Sequence, residues 1–223
     1  DKLLHMPENL DDKTVAAVLM KGMTAHYLLH RPYAVQDGDT ILVHAAAGGM
    51  GLILCQWAKA LGAKVVGTVS THEKAEVARA AGCHYPVVRS EKSFVDVVRE
   101  VTDGEGCAVV YEAIGKDTLQ HSLDSLRPMG VCAAYGHVSG PPDPVAIIQD
   151  LGRRGSLFIT RPAIMHYVAK RADLEWTARA LFKAIGDGLL EANINYEYAL
   201  KDAVKAHEAI ESGKTLGATV LIP

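Results

Sequence analysis

Closely paired cysteines are missing from this chain of 223 residues. The four it has, Cys55, Cys83, Cys107 and Cys132, lie far apart and each sits in an apolar segment. Without a CxxC pair they make neither a disulfide framework nor the ligand set of a structural zinc site. An excess of charge of one sign is missing too. A net charge of −3 leaves no basic face for nucleic acid and no polybasic patch for a membrane surface. No apolar run approaches the roughly 20 residues that span a bilayer, and nothing reads as a signal peptide. Internal repeats, low-complexity tracts, a GxSxG elbow and a HExxH metal motif are all absent. The expectation is a cytoplasmic protein with free, buried thiols, no metal, no nucleic-acid partner and no membrane.

What is present is an alternation of elements. Residues 14–30 read as a helix, with Gly22 as a local break. Short β-branched runs follow at 40–46, 64–70, 85–88, 107–114, 130–136 and 156–160. Helical patterns at 51–61, 72–81, 93–101 and 117–126 separate the first five, and a short helix is expected near 145–152. Runs such as ILVHAA, KVVGTV and CAVVYEAI are continuously apolar, as strands are when helices cover both faces of a parallel sheet. The expected fold class is α/β, a doubly wound six-stranded parallel sheet of Rossmann type. A longer helix follows at 171–188. The last piece, 198–223, reads as a helix, a turn at 213–217 and a strand, and falls outside the alternation.

The stretch from Thr40 to Gly62 carries the chemistry. Its turn, Ala45–Ala46–Ala47–Gly48–Gly49–Met50–Gly51, supplies Ala46, Gly48 and Gly51 at the three positions of GxGxxG. The first position makes a tight turn, the second lets backbone approach a pyrophosphate, and the third lets helix pack on strand. Alanine is the smallest departure possible at the first. The helix that follows points its free N–H groups and positive dipole end at the phosphates.

NAD sites place an acid about 20 residues on, at the end of the second strand, for the ribose 2′-hydroxyl. This strand ends Gly67–Thr68–Val69–Ser70–Thr71 without one. Lys74 follows in the next helix and Arg89 ends the third strand. Cations and hydroxyl donors such as Ser70 suit a 2′-phosphate, so the expected cofactor is NADPH.

The segments AAAGGMGLILCQWAKALGAKVVGTVST, VVYEAIGKDTLQHSLDSLRPMG and GSLFITRP, with the tail YALKDAVKAHEAIESGKTLGATVLIP, resemble the zinc-free quinone oxidoreductases. These are zeta-crystallin-like members of the medium-chain dehydrogenase/reductase superfamily. The resemblance implies NADPH-dependent reduction of a quinone, with reduction of an enone or enal double bond, or a non-catalytic NADPH-binding structural role, as alternatives. It places Ala47, Gly48, Gly49, Met50 and Gly51 on the pyrophosphate and Lys74 on the 2′-phosphate. Thr24, in KGMT, falls near the nicotinamide. Tyr135, Gly136 and His137, with Phe158 and Thr160, line the far side of the cofactor. Arg89 stands where many members have tyrosine, His137 replaces a residue that is commonly asparagine, and Lys214 stands beside the position of an arginine that contacts phosphate. The resemblance divides the chain into a linking helical segment at 1–34, the NADP-binding Rossmann domain at 35–190, and a segment at 191–223 that returns to the catalytic lobe. An N-terminal GroES-like domain is then the part expected to be absent, and it is where the catalytic residues are expected, so none is assigned here. A homodimer through the sixth strand is the implied assembly.

Other constellations are weaker. His26 and His30 have metal-ligand spacing on a helix but no third ligand nearby. Glu112 and His137 suggest an acid/base pair, yet hydride transfer to a quinone can draw its protons from solvent. Glu112 is then simply a strand-end residue. Lys201, Asp202, Lys205 and Glu208 read as a solvated helix face.

Overall fold

The computed structural model of the protein describes residues 2–223. Helix α1 (Asp12–His30) begins where the Asp11 carboxylate accepts from the N–H (2.9 Å) and hydroxyl (2.7 Å) of Thr14, a strong N-cap. It runs through Gly22 without the break that glycine suggested. Gly22 is buried, and a Cβ there would run into the side chain of Leu181. The glycine permits a close helix crossing rather than an interruption.

The alternation then proceeds through β1 (Thr40–Val43), α2 (Gly49–Ala60), β2 (Lys64–Val69), α3 (His72–Ala80), β3 (Tyr85–Val88) and α4 (Phe94–Val101). It continues with β4 (Cys107–Glu112), α5 (Leu119–Asp124), β5 (Leu126–Ala134) and β6 (Phe158–Thr160). The six strands are parallel, in the spatial order β3-β2-β1-β4-β5-β6. The chain winds outward from β1 on one side, then returns to the other side at β4. The C-terminal ends of β1 and β4 therefore part into the crevice where doubly wound sheets bind ligands.

Successive side chains along each strand enter opposite cores. Ile41, Val43, Val65, Val109 and Tyr111 pack in the same core as residues of α1 and α2, while Leu42, Val66 and Val110 join residues of α4 and α5. Burial on both faces is why these strands show no polar alternation. Strands β1 and β4 stop short of the apolar runs read from sequence, because Ala45–Ala47 and Ala113–Ile114 leave the ladder to build turns. The short helix expected near 145–152 is a single wide helical turn, Ile147–Gly152.

The remaining elements are α6 (Ile164–Tyr167), α7 (Arg171–Gly186), β7 (Ile194–Ala199), α8 (Ala203–Glu211) and β8 (Ala218–Ile222). The last two strands pair in parallel as a separate ribbon. β7 was not anticipated, although INYEYA alternates half-buried and exposed residues as a one-sided strand does. Ala218 and Val220 of β8 are buried in the core that α1 shares. The Gly217 N–H donates to the Ala47 carbonyl at 3.3 Å. The segment 191–223 thus packs on the first helix and the glycine turn of the Rossmann domain.

Two opposing effects meet at Gly22. Alanine there gains about 1 kcal/mol of helix propensity, but overpacking a filled core costs about 1–3 kcal/mol. Leu181 is fully buried, so packing is expected to win. Gly22→Ala should lower stability by about 1 kcal/mol, read from the denaturant midpoint. A more stable variant would show that Leu181 can move aside.

Candidate functional site

The turn after β1 is built from short contacts. Ala45 takes a left-handed backbone (φ 51°), the Gly48 N–H donates to the Ala45 carbonyl (2.9 Å), and the Ala46 N–H donates to the Thr68 carbonyl (3.0 Å). The sharp bend falls at Ala45, one residue before the position that the motif assigns to it. A Cβ on Gly51 would stand 2.7 Å from Ala46 Cα, so the third glycine does let α2 press on the strand. No side chain caps α2 at Gly48. Its leading N–H groups are therefore left for a ligand, which is the fit a pyrophosphate requires.

Beside this turn lies a cavity of about 190 Å³ whose lining includes Gly48, Ser70, Lys74, Arg89, Gly213 and Thr215. No carboxylate lines it. Lys74 is set in the first turn of α3, where its N–H is capped by the Thr71 hydroxyl at 3.2 Å. Its ammonium donates to the Gly213 carbonyl at 2.7 Å, so the tail arches over the cavity. Larger cavities of about 410 and 660 Å³ lie away from the crevice, around His84 and around Gln56, with no converging chemistry.

A second cavity of about 200 Å³ lies past the ends of β4 and β5, with Gly115, Gly136, His137 and Arg161 among its lining residues. Gly136 passes close to the neighbouring loop, since a Cβ there would stand 2.6 Å from the Ala113 carbonyl. The structure thus gathers Ala47, Gly48, Ser70, Lys74 and Arg89 at one cavity, and Gly136 and His137 at the other. Gly49, Met50 and Gly51 form the first turn of α2. Thr24 is half-buried on α1 and its hydroxyl donates to the Met20 carbonyl (2.8 Å). Tyr135 follows β5 and Thr160 ends β6. Of the eight candidates that line neither cavity, two are exposed. Phe158 opens β6 and is 61% exposed, and Lys214 is exposed, although its neighbours Gly213 and Thr215 do line the first cavity.

Under the crevice runs a buried polar chain that sequence reading reached only at Glu112. The Glu112 carboxylate accepts from the N–H groups of Ile114 (2.7 Å) and Gly115 (3.0 Å) and from the hydroxyls of Thr118 (2.9 Å) and Ser122 (2.5 Å). Ser122 in turn meets His44 Nε2 at 2.8 Å, and His44 Nδ1 meets the Thr68 hydroxyl at 2.9 Å. Four donors on one carboxylate leave no role for His137 as its partner. Burial, the largest influence, raises the Glu112 carboxyl. The His44 ring, the Ser122 hydroxyl and the two N–H groups outweigh it and hold the group below the usual glutamate range. Burial pushes His44 down to about 4 against the pull of Glu112, so the ring is neutral at pH 7. The readable signs were a histidine in an apolar strand (ILVH) and a glutamate ending another (VVYE).

His26 is buried too, among His30, Trp57 and Trp176 (ring centroids at 4.7, 5.4 and 4.3 Å). Burial, then His30 and Arg31, lowers it to about 4. Among the described residues no group of three or more His, Cys, Asp or Glu could hold a metal. No helix is long and apolar enough to cross a membrane.

Residues 49–175 match the family described as zinc-binding dehydrogenase. The whole chain aligns at 51% identity with a 2-haloacrylate reductase from Burkholderia sp., covering 68% of that protein. It aligns at 43% with a quinone oxidoreductase from Pseudomonas aeruginosa, again over all of this chain and 68% of the relative. The crystal structure of the Escherichia coli quinone oxidoreductase complexed with NADPH superposes with a TM-score of 0.94 at 40% identity. That match covers 98% of this chain and 67% of the other.

Both buried histidines take up their protons more readily when unfolded, since their folded values lie near 4 against 6.5. Their contribution is complete above about pH 6.5 and is lost as the pH falls toward 4. The denaturant midpoint should therefore drop between pH 7 and pH 5, and His44→Gln should flatten that slope. An unchanged slope in the variant would mean that His44 takes up its proton equally in the folded and unfolded chains.

Proposed function

This chain belongs to the quinone oxidoreductases of the medium-chain dehydrogenase/reductase superfamily, and on that footing we propose that it serves NADPH-dependent reduction of quinones. The cavity at the end of β2 carries the cofactor choice. Lys74 and Arg89 line it with the Ser70 hydroxyl and without any carboxylate, a set that favours a 2′-phosphate over a free ribose hydroxyl. The uncapped start of α2 takes the pyrophosphate. Thr24, Tyr135, Gly136, His137 and Thr160 fall toward the nicotinamide half.

NADPH supplies a hydride when bound, and a quinone that takes one hydride and one proton becomes the hydroquinone. This chain's residues bind and orient. Glu112, satisfied from within, keeps the loop Ala113–Gly115 against the crevice, and Gly136 lets the neighbouring loop approach. The proton comes from water, so no side-chain acid is required. Residues that orient the substrate belong, in this reading, to a catalytic lobe of GroES-like fold.

A second reading is favoured by one observation. Arg161 and His137 line the cavity past β4 and β5, and a guanidinium there suits the carboxylate of an acrylate. Hydride addition to one alkene carbon and a proton to the other would then reduce an activated double bond. The four cysteines, all buried and unpaired, agree with a reducing cytoplasm. The exposed Phe158 on the edge strand β6 supports a homodimer joined along that edge.

Three measurements test these readings. Lys74→Glu should weaken NADPH binding at least about tenfold, as loss of a charged hydrogen bond does, and leave NADH within about twofold; tighter NADH binding by the native protein would sink the choice of cofactor. Steady-state assays on the full-length enzyme should show faster turnover of quinones than of 2-haloacrylates, and the reverse order would establish the second reading. Light scattering should give twice the chain mass, with Phe158→Asp shifting it to one; a native monomer would refute the edge pairing.

A further inference from the structure

Lys21 lies on α1, one turn before Thr24, and reaches the start of α2. Its ammonium is 3.3 Å from the point that a Cβ on Gly49 would occupy, and the Gly217 carbonyl oxygen is 2.9 Å from the same point. Three segments distant in sequence thus converge on the first residue of α2. They are the middle of α1, the glycine turn and the tail, and a parallel bridge between Gly48 and Gly217 ties the last two. Glycine at position 49 keeps room for the lysine, because any side chain would displace either Lys21 or the tail.

The ammonium is poorly served where it stands. Its one hydrogen bond runs to the Ala17 carbonyl at 3.1 Å, a turn back on its own helix. No carboxylate pairs with it among the described residues. It is half-buried, and burial draws its pKa below the ordinary lysine range. The start of α2 adds the positive end of a helix dipole, equivalent to about half an elementary charge. A desolvated cation beside a positive helix end costs free energy that one neutral carbonyl does not offset. A doubly charged anion at the uncapped N–H groups of α2 offsets both.

We propose that Lys21 is a pyrophosphate-binding residue, the cation that the glycine turn itself does not contain. The assignment rests on the NADPH reading above and extends it to a different phosphate. Lys74 and Arg89 serve the 2′-phosphate at the end of β2, whereas Lys21 meets the bridge between the two halves of the cofactor.

The test compares Lys21→Met, which keeps length and removes charge, with Lys21→Arg and the native protein. Affinities for NADPH and for 2′-AMP are measured by calorimetry. 2′-AMP carries the adenosine and the 2′-phosphate but no pyrophosphate. Lys21→Met should weaken NADPH about tenfold or more, the effect of losing a charge-assisted bond, and leave 2′-AMP within about twofold. Lys21→Arg should retain most of the NADPH affinity. Without ligand, Lys21→Met should melt no lower than the native protein, because it removes an ill-placed charge. Equal NADPH affinity in Lys21→Met and the native protein overturns the role of Lys21 alone, as does an equal loss of 2′-AMP. Failure of the native protein to bind NADPH overturns the cofactor reading and Lys21 with it.

Discussion

The approach of α2 to the end of β1 is the contact on which the rest of the structure depends. Gly51 has no side chain, and a Cβ there would stand 2.7 Å from Ala46 Cα. That absence lets the helix start directly against the turn, with Ala45 absorbing the bend in a left-handed backbone. Because Gly48 offers no cap, the leading N–H groups of α2 stay open at the centre of the sheet. The strand order then places this helix end beside the parting of β1 and β4. A single steric permission thus positions the anion site at the one crevice that the topology creates.

Electrostatics around that point are asymmetric, and the asymmetry has a physical logic. Cations come to the crevice from three separate elements: Lys21 from α1 beside the start of α2, and Lys74 from α3 and Arg89 from the end of β3 at the neighbouring cavity. The nearby buried carboxylate, Glu112, is instead satisfied by two N–H groups and two hydroxyls. Its charge is absorbed locally and does not compete for the cations. His44 stays neutral between Thr68 and Ser122, so the chain of hydrogen bonds that starts at Glu112, on the wall of the second cavity, carries no charge on to Thr68 on the wall of the first. The tail takes part as well, through Gly213 on Lys74 and Gly217 on the glycine turn.

Much of the fold was legible because its determinants are local. ILVHAA and KVVGTV are apolar on both faces, and a strand of that kind needs helices on both sides. Thr71 and Ser93 cap the helices that follow them. Gly22 misled because a glycine in a helix pattern reads the same whether it breaks the helix or admits a neighbour; Leu181, far along the chain, decides which. β7 was missed because its partner, β8, lies beyond an intervening helix, so no hairpin spacing marked the pair. In the site, Lys74 and Arg89 were legible from their places after strands. Lys21 was not, since nothing near it in sequence hints at a phosphate.

By itself the sequence determined the parallel α/β class, the dinucleotide turn and the absence of an acid after the second strand. Each of these is a pattern within a few dozen consecutive residues, where periodicity and steric need act directly. Only the tertiary structure decided what stands opposite what: Lys21 and Gly217 at Gly49, Gly213 over Lys74, and His44 within reach of Glu112. Those meetings depend on strand order and on how the tail returns. Segments up to nearly 200 residues apart in the chain, Lys21 and Gly217 among them, come together only when the folded core holds them there.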